Sequence, residues 1–506
     1  METTNGFMES EGTSFPGKTY VEHLLRPVFN DQRDFLFKHM FNINRAHVVM
    51  LTEQNIINKK EAGKILQGVE TVSKINLETL QYDPQFEDLF FMIEHKISEK
   101  VGPDLAGKMH IARSRNDMGV AMYRLALREH ILTVIESSLL LADAILEKIN
   151  DHAKTIMTAY THTQPAQPTT LGHYLTAIHD VLLRDIQRLE YAYKTVNRSP
   201  MGAAALSTTG FPINRGRVSE LLGFHGLVEN SYDAIAGADY LIESATVVLT
   251  MMVNSGRWIQ DFLQLVTREH KIIKVADPYI QISSIMPQKR NPVSIEHSRS
   301  LASSSAGEAL TAIQMIHNTP FGDIVDTEDD LQPHLYRCYE KANRVLRLMH
   351  AVIRTMEVSK ETALQRAKTS CITITELADV LAKDKGVPFR TAHQIASIIA
   401  KMCSHEKVEL SDLSLQTVNQ EINKIYRVSL SQKEWDDIIS PSEFVRRRNI
   451  QGGPNPNEVR RMATHRQVQL EKLKRRLDSE RYCLQLAHNN LINLVQKIVI
   501  SENKKR

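Results

Sequence analysis

Apolar residues recur at spacings of three and four along most of this chain, the period of an amphipathic helix. The pattern is longest over Val120–Ile149 and Glu243–Lys274, and it returns over Ile295–Ile316 and Leu335–Thr355. Long helices are predicted there. In Val120–Ile149 and Glu243–Val275 the apolar positions fall on more than one face, which marks a helix covered on several sides. Shorter helical patterns run over Arg45–Gln54 and Lys59–Ile75, with Asn58 placed to cap the second. A further pattern, Arg466–Ile500, ends in the basic run ENKKR, read as a solvated end. Gly and Pro together make up 38 of 506 residues, well below the usual share of roughly 12%. Few helix breakers fit an all-α fold.

Three strings interrupt the helical pattern with reactive side chains. Residues 283–292 read SSIMPQKRNP. Pro287 and Pro292 forbid a continuous helix, so this is a loop between two helices. Residues 110–117 read HIARSRND, just ahead of the Val120–Ile149 pattern. An arginine fork can bond both oxygens of a carboxylate, but a solvated basic turn would look the same. Residues 160–174 read YTHTQPAQPTTLGHY, and Pro165 and Pro168 predict a loop before a helix. A histidine taken alone is more often structural than catalytic. Here Thr161, His162 and Gln164 crowd together, and imidazole titrates near neutrality, which suits proton transfer.

Charge and cysteine content narrow the classes. The net charge of +3 makes no broad case for nucleic acid or a membrane surface. No apolar run approaches the ~20 residues of a membrane span. The first twenty residues lack the basic-then-apolar pattern of a signal peptide. Cys338, Cys371, Cys403 and Cys483 lie far apart, so no zinc site or disulfide framework is suggested. No GxGxxG, P-loop or HExxH motif occurs. A cytoplasmic protein without metal or cofactor is expected.

Residues 283–292 resemble the signature loop of the fumarase/aspartase superfamily, usually G-S-S-x-M-x-x-K-x-N-P, with Ile282 where the family has Gly. SRND at 114–117 resembles argininosuccinate lyases, and THTQPAQP at 161–168 resembles the family's second region. TELAD, GVPFR and AH within 370–400 resemble the argininosuccinate lyase C-terminal domain. The resemblance covers roughly Tyr20 to Arg461. It implies a three-domain all-α protein whose long central helices assemble into a tetrameric bundle, with composite sites drawn from three chains. The expected divisions are a tail at 1–19, an N-terminal domain at 20–118, a central bundle at 119–369, a C-terminal domain at 370–465 and an extra helix at 466–506. The implied reaction is β-elimination of an amine from an N-substituted aspartate, releasing fumarate. The resemblance names Ser283 as base. Lys289 and Asn291 would stabilise the dianion formed when the Cβ proton leaves. His162, oriented by Glu296, would serve proton transfer, and Ser114, Arg115, Asn116 and Thr161 would clamp the succinyl carboxylates. The small-residue stretch Met201–Gly223 would pack helices or offer backbone donors to the ligand.

One connection departs from the family. Argininosuccinate lyases usually read P-x-x-Y-N-x-D-x-Q-E-D-K after the signature helix. Counting from Pro320, this chain has Asp323 for the Tyr, Glu328 for the Gln and Leu331 for the Lys. Two added acids should repel a carboxylate and favour a second ammonium. Argininosuccinate is the default substrate. An ethylenediaminedisuccinate lyase-like enzyme acting on diamine–fumarate adducts is the alternative, since TTGFP, HNTPF and SCITITELAD resemble that branch. A structural, crystallin-like homologue without activity is the reading from another class.

Overall fold

The computed structural model of the chain describes residues 4–12 and 14–503. The helices that position the site are α1 (Phe37–Glu53), α2 (Lys59–Val72), α3 (Leu89–Val101), α4 (Arg115–Asp151), α5 (Leu171–Val196), α6 (Asp239–Val266), α7 (Val293–Ile316), α8 (Leu331–Thr355), α9 (Lys360–Ala367), α10 (Ile374–Lys383), α11 (Phe389–Glu406), α12 (Pro441–Arg447) and α13 (Pro456–Asn503). The strands are short: β1 (Ile156–Thr161), β2 (Gln164–Thr170), β3 (Ile273–Lys274), β4 (Gln281–Ile282), β5 (Arg290–Asn291) and β6 (Glu357–Val358). They pair as β1–β2, β3–β6 and β4–β5.

The five long helices α4 to α8 close a ring. Each packs on the next, and α8 packs back on α4. Their apolar faces make one core that continues into α1, α2 and α3. Capping follows the sequence. Asn58 accepts the Lys60 and Glu61 amides, and the Glu61 carboxylate accepts the Asn58 amide. Such a cap contributes about 1 kcal/mol.

Two expectations need correction. The apolar pattern Glu243–Lys274 is not one helix: α6 stops at Val266, and Ile272 and Ile273 are buried in and beside β3. Residues 160–174 are not an irregular loop, because β1 and β2 form a hairpin. Pro165 and Pro168 are tolerated there because both strands of a two-stranded sheet are edges.

The domain divisions also meet the structure unevenly. Within 1–19 stands a helix, Thr4–Glu11. The divisions at 118/119 and 465/466 fall inside α4 and α13. A separate core, Leu377 to Ile438, is built by α10, α11 and the helices after them. The last helix, α13, runs back along α2 and α4. It buries Leu470, Leu473, Leu477, Leu491 and Val495, and Arg466 grips Asp180 of α5 at 2.6 and 2.7 Å. The basic end read at ENKKR lies outside the described residues from 504 onward. Among the described residues, no helix is long and apolar enough to cross a membrane.

Buried histidines make stability depend on pH. Burial, with Arg113 nearby, lowers His47 to about 3. Burial, with Lys38 nearby, lowers His130 to about 4, and burial lowers His179 to about 4. Unfolded, these rings take up protons near 6.5, so the unfolded state binds more protons below that pH. Each ring therefore removes up to about 1.4 kcal/mol of stability per pH unit as pH falls below about 6.5. Glu328, whose carboxyl is raised by burial, works in the opposite direction and offsets one of them. The urea midpoint is expected to fall between pH 6.5 and 5; a flat or rising midpoint contradicts this.

Candidate active site

Ser114, Arg115 and Asn116 open α4. Ser114 is the N-cap: its hydroxyl accepts the Asn116 amide at 3.3 Å, and its own amide donates to Asp117 at 3.0 Å. Asp117 is fully buried, and its second oxygen accepts the Gly202 and Ala204 amides at 2.9 and 3.0 Å. These backbone donors of the Met201–Gly223 stretch serve α4, so at Gly202 and Ala204 the ligand-donor reading is replaced by a structural one. Gly202 has φ +82° and a Cβ there would lie 2.6 Å from the Arg215 side chain, so only glycine fits.

The Asn116 side chain is oriented from both ends. Ser114 Oγ donates to its Oδ1 at 2.9 Å, and its Nδ2 donates to Asp323 at 2.6 Å. Arg115 lies over the Phe91 ring at 4.8 Å and reaches Glu87 and Asp88 at 3.3 and 3.2 Å. Asp323 shares a hydrogen bond with Glu328. Asp329 accepts from Gln32 at 2.9 Å. Gln32, Glu87, Asp88, Arg115, Asn116, Asp323, Glu328 and Asp329 all line one cavity of about 230 Å³. Burial, then Asp323 and Asp329, hold Glu328 well above the usual carboxylate range, and burial raises Asp88 and Asp329. The pocket is therefore rich in carboxyl groups, with Arg115 as its guanidinium.

His162 stands at the hairpin tip. Register pairs Thr161 with Gln164, leaving His162 and Thr163 as a two-residue turn. Both have positive φ, 50° and 64°, as a type I′ turn requires. For two residues other than glycine this costs of order 1–3 kcal/mol each, and such strain persists only where the surroundings impose it. Thr161 and His162 are exposed.

The third group sits between α6 and α7. β4 and β5 pair Gln281 with Asn291 and Ile282 with Arg290, closing the base of the signature loop. Ser283 Oγ accepts the Met286 amide at 3.1 Å and the Ile285 amide at 3.4 Å. The Ser283 amide donates to the Lys289 carbonyl at 3.4 Å. Lys289 is exposed, and Glu296 is exposed on the first turn of α7, where a carboxylate suits the helix dipole.

The chain thus forms three clusters of these residues. Ser114, Arg115, Asn116, Asp323 and Glu328 meet in one place, Thr161 and His162 in a second, Ser283, Lys289 and Asn291 in a third. Among the described residues, no hydrogen bond or ion pair joins His162 to Glu296. Glu87, Asp88 and Asp329 were missed from sequence. The acidic strings FED at 86–88 and EDD at 328–330 were the available sign, but only folding puts them around one guanidinium.

A family model described as lyase matches residues 31–307, and one described as argininosuccinate lyase C-terminal matches 371–446. The chain is 40% identical to argininosuccinate lyase 2 of Agrobacterium fabrum, over 89% of this chain and 90% of that protein. It is 35% identical to argininosuccinate lyase of Methanocaldococcus jannaschii, over 90% and 91%. The chain belongs to the argininosuccinate lyase family. Among solved structures, EDDS lyase in complex with formate matches with a TM-score of 0.87 and 31% identity, over 97% of this chain and 98% of that one. A variant of EDDS lyase with bound fumarate matches equally well, at 0.87 and 31% over 98% of each chain. Like its family, the protein is a carbon–nitrogen lyase that releases fumarate.

Proposed function

We propose that the protein eliminates an amine from an N-substituted L-aspartate, argininosuccinate being the default substrate, with Ser283 as the base. The observation that carries this is the loop geometry: two backbone amides point at Ser283 Oγ, and Lys289 lies six residues on. Amide donors and a nearby ammonium stabilise an alkoxide and so activate a poor base. Removing the Cβ proton builds a dianion, which Lys289 and Asn291 stabilise. Arg115, Asn116, Ser114 and Thr161 hold the succinyl carboxylates, exchanging their present partners for substrate. His162, oriented by Glu296, moves a proton towards the departing nitrogen. Among the described residues no hydrogen bond or ion pair joins the three clusters within one chain, which supports a composite site and a homotetramer as the working unit. The test is to incubate the protein with fumarate and a panel of amines, arginine included, and weigh the adducts. Absence of any adduct defeats the proposal.

The acidic pocket favours a second reading for the amine half. Asp323 and Glu328 stand where the family carries Tyr and Gln, and Leu331 is buried at the place of the Lys. An amine with an ammonium end and no carboxylate suits such a pocket. An ammonium beside Glu328 draws the proton off its raised carboxyl, so the bond that Gln loses is a carboxylate–ammonium one, about 1.5–3 kcal/mol, or about 10- to 100-fold. Glu328→Gln is therefore expected to lower kcat/KM for a diamine–fumarate adduct by that factor and to leave argininosuccinate unchanged or improved. Steady-state kinetics on both substrates decide it: equal losses on the two rule out a selective role for Glu328.

A further inference from the structure

The hairpin that carries His162 is held at its root by the far end of the chain. Thr170 caps α5, its hydroxyl accepting the His173 amide at 3.0 Å. The His173 ring then bridges two segments: Nδ1 meets Thr169 Oγ1 at 2.9 Å, and Nε2 meets the Gly452 carbonyl at 3.0 Å. A carbonyl only accepts, so Nε2 carries a proton. In the neutral ring Nδ1 is then the acceptor, and the Thr169 hydroxyl donates to it.

The Gly452 peptide is fixed in turn. Its N–H donates to Glu458 at 2.7 Å, and Arg461 holds Glu458 at 2.7 Å. The turn needs its glycines. Gly452 has φ +83°, and a Cβ on Gly453 would lie 2.5 Å from the Arg448 carbonyl. Asp180, seven residues after His173 and so on the same face of α5, is gripped by Arg466 of α13. The hairpin strands also pack against α9 and α12. A strained turn persists only when its surroundings impose it, and these contacts are what surround its base.

We infer that His173 is a positioning residue for the lyase reaction, the link through which the Gly452 turn of the C-terminal region sets the hairpin that presents His162. It does not touch substrate. The inference rests on the role proposed above for His162. A misplacement of about 1 Å in a catalytic group can cost on the order of 100-fold in rate.

Three variants of the full chain test it. Glutamine can place an amide N–H near the Nε2 position and so keep the bond to Gly452; asparagine reaches only the Nδ1 position; phenylalanine keeps the ring and loses both bonds. His173→Phe and His173→Asn are expected to lower kcat about 10-fold or more with KM within about twofold, while His173→Gln stays within about threefold of the parent. Melting temperature should move little across the series. A fully active His173→Phe overturns the inference. So does a loss that Asn restores as well as Gln does, because the Gly452 bond would then be irrelevant. His162→Asn, measured alongside, reads the underlying assignment separately. Full activity there removes the role of His162, whereas an inactive His162→Asn beside a fully active His173→Phe removes only the link.

Discussion

Ser283→Ala is expected to leave a folded protein whose kcat is lower by on the order of 10²-fold or more. The loop should survive the change. Its base is closed by backbone pairing of Gln281 with Asn291 and Ile282 with Arg290, and by Arg290 bonded to Asp277. What alanine removes is an oxygen at which the Met286 and Ile285 amides point. Those donors favour a negatively charged oxygen over a neutral hydroxyl, which is what a serine acting as a base needs. The other polar groups of the loop are less suited: the two amides point at Ser283 Oγ and not at the Ser284 hydroxyl, Lys289 donates protons, and Asn291 has no useful basicity. The measurement is fumarate release under saturating substrate, with circular dichroism as the check on folding. Near-parental turnover would move the base elsewhere.

Mixing two dead variants should restore activity. His162→Asn and Ser283→Ala, each nearly inactive alone, are expected to regain up to about a quarter of parental activity when refolded together in equal amounts. A site that draws the two residues from different chains receives both intact ones in about one case in four. Two observations motivate this. His162, Lys289 and Glu296 are exposed in the single chain, although catalysis needs a water-poor site. The central helices also leave apolar side chains uncovered, with Val253 on α6 at 53% exposure and Leu310 on α7 at 46%. Such positions on the central helices suit burial against other copies of the chain. Recovery no greater than the sum of the separate variants would show that each site is complete within one chain. Light scattering on the parent gives an independent check, since a fully active monomer defeats the composite site.

Much of this molecule is legible in its residues. The long helices follow from apolar periodicity, because a helix buried on several sides must be apolar on several faces, as α4 is. Asn58 was identified as a cap because its side chain can reach only amides one turn away. The reactive strings stood out because Pro287, Pro292 and Pro165 break the helical period wherever Ser, Lys, His and Asn gather. Local chemistry sets all of these, and a sequence carries local chemistry directly.

Other features waited for tertiary structure. Prolines in 160–174 suggested a loop, but backbone pairing of β1 with β2 made a hairpin and put His162 on a turn with positive φ. Ile272 and Ile273 extended the α6 pattern in sequence, yet they are apolar because they lie buried at β3, beyond the end of that helix. The pattern from Arg466 onward showed only an extra helix; its buried leucines and the Arg466–Asp180 pair join it to the core across 286 residues of chain. Most of all, the sequence placed Glu87 and Asp88 more than 230 positions from Asp323, Glu328 and Asp329. Only the fold gathers them around Arg115 and Asn116, and only the fold buries Glu328, which with Asp323 and Asp329 beside it raises its carboxyl. Electrostatic coupling depends on distance through space and on exclusion of water, and neither is written in the order of residues.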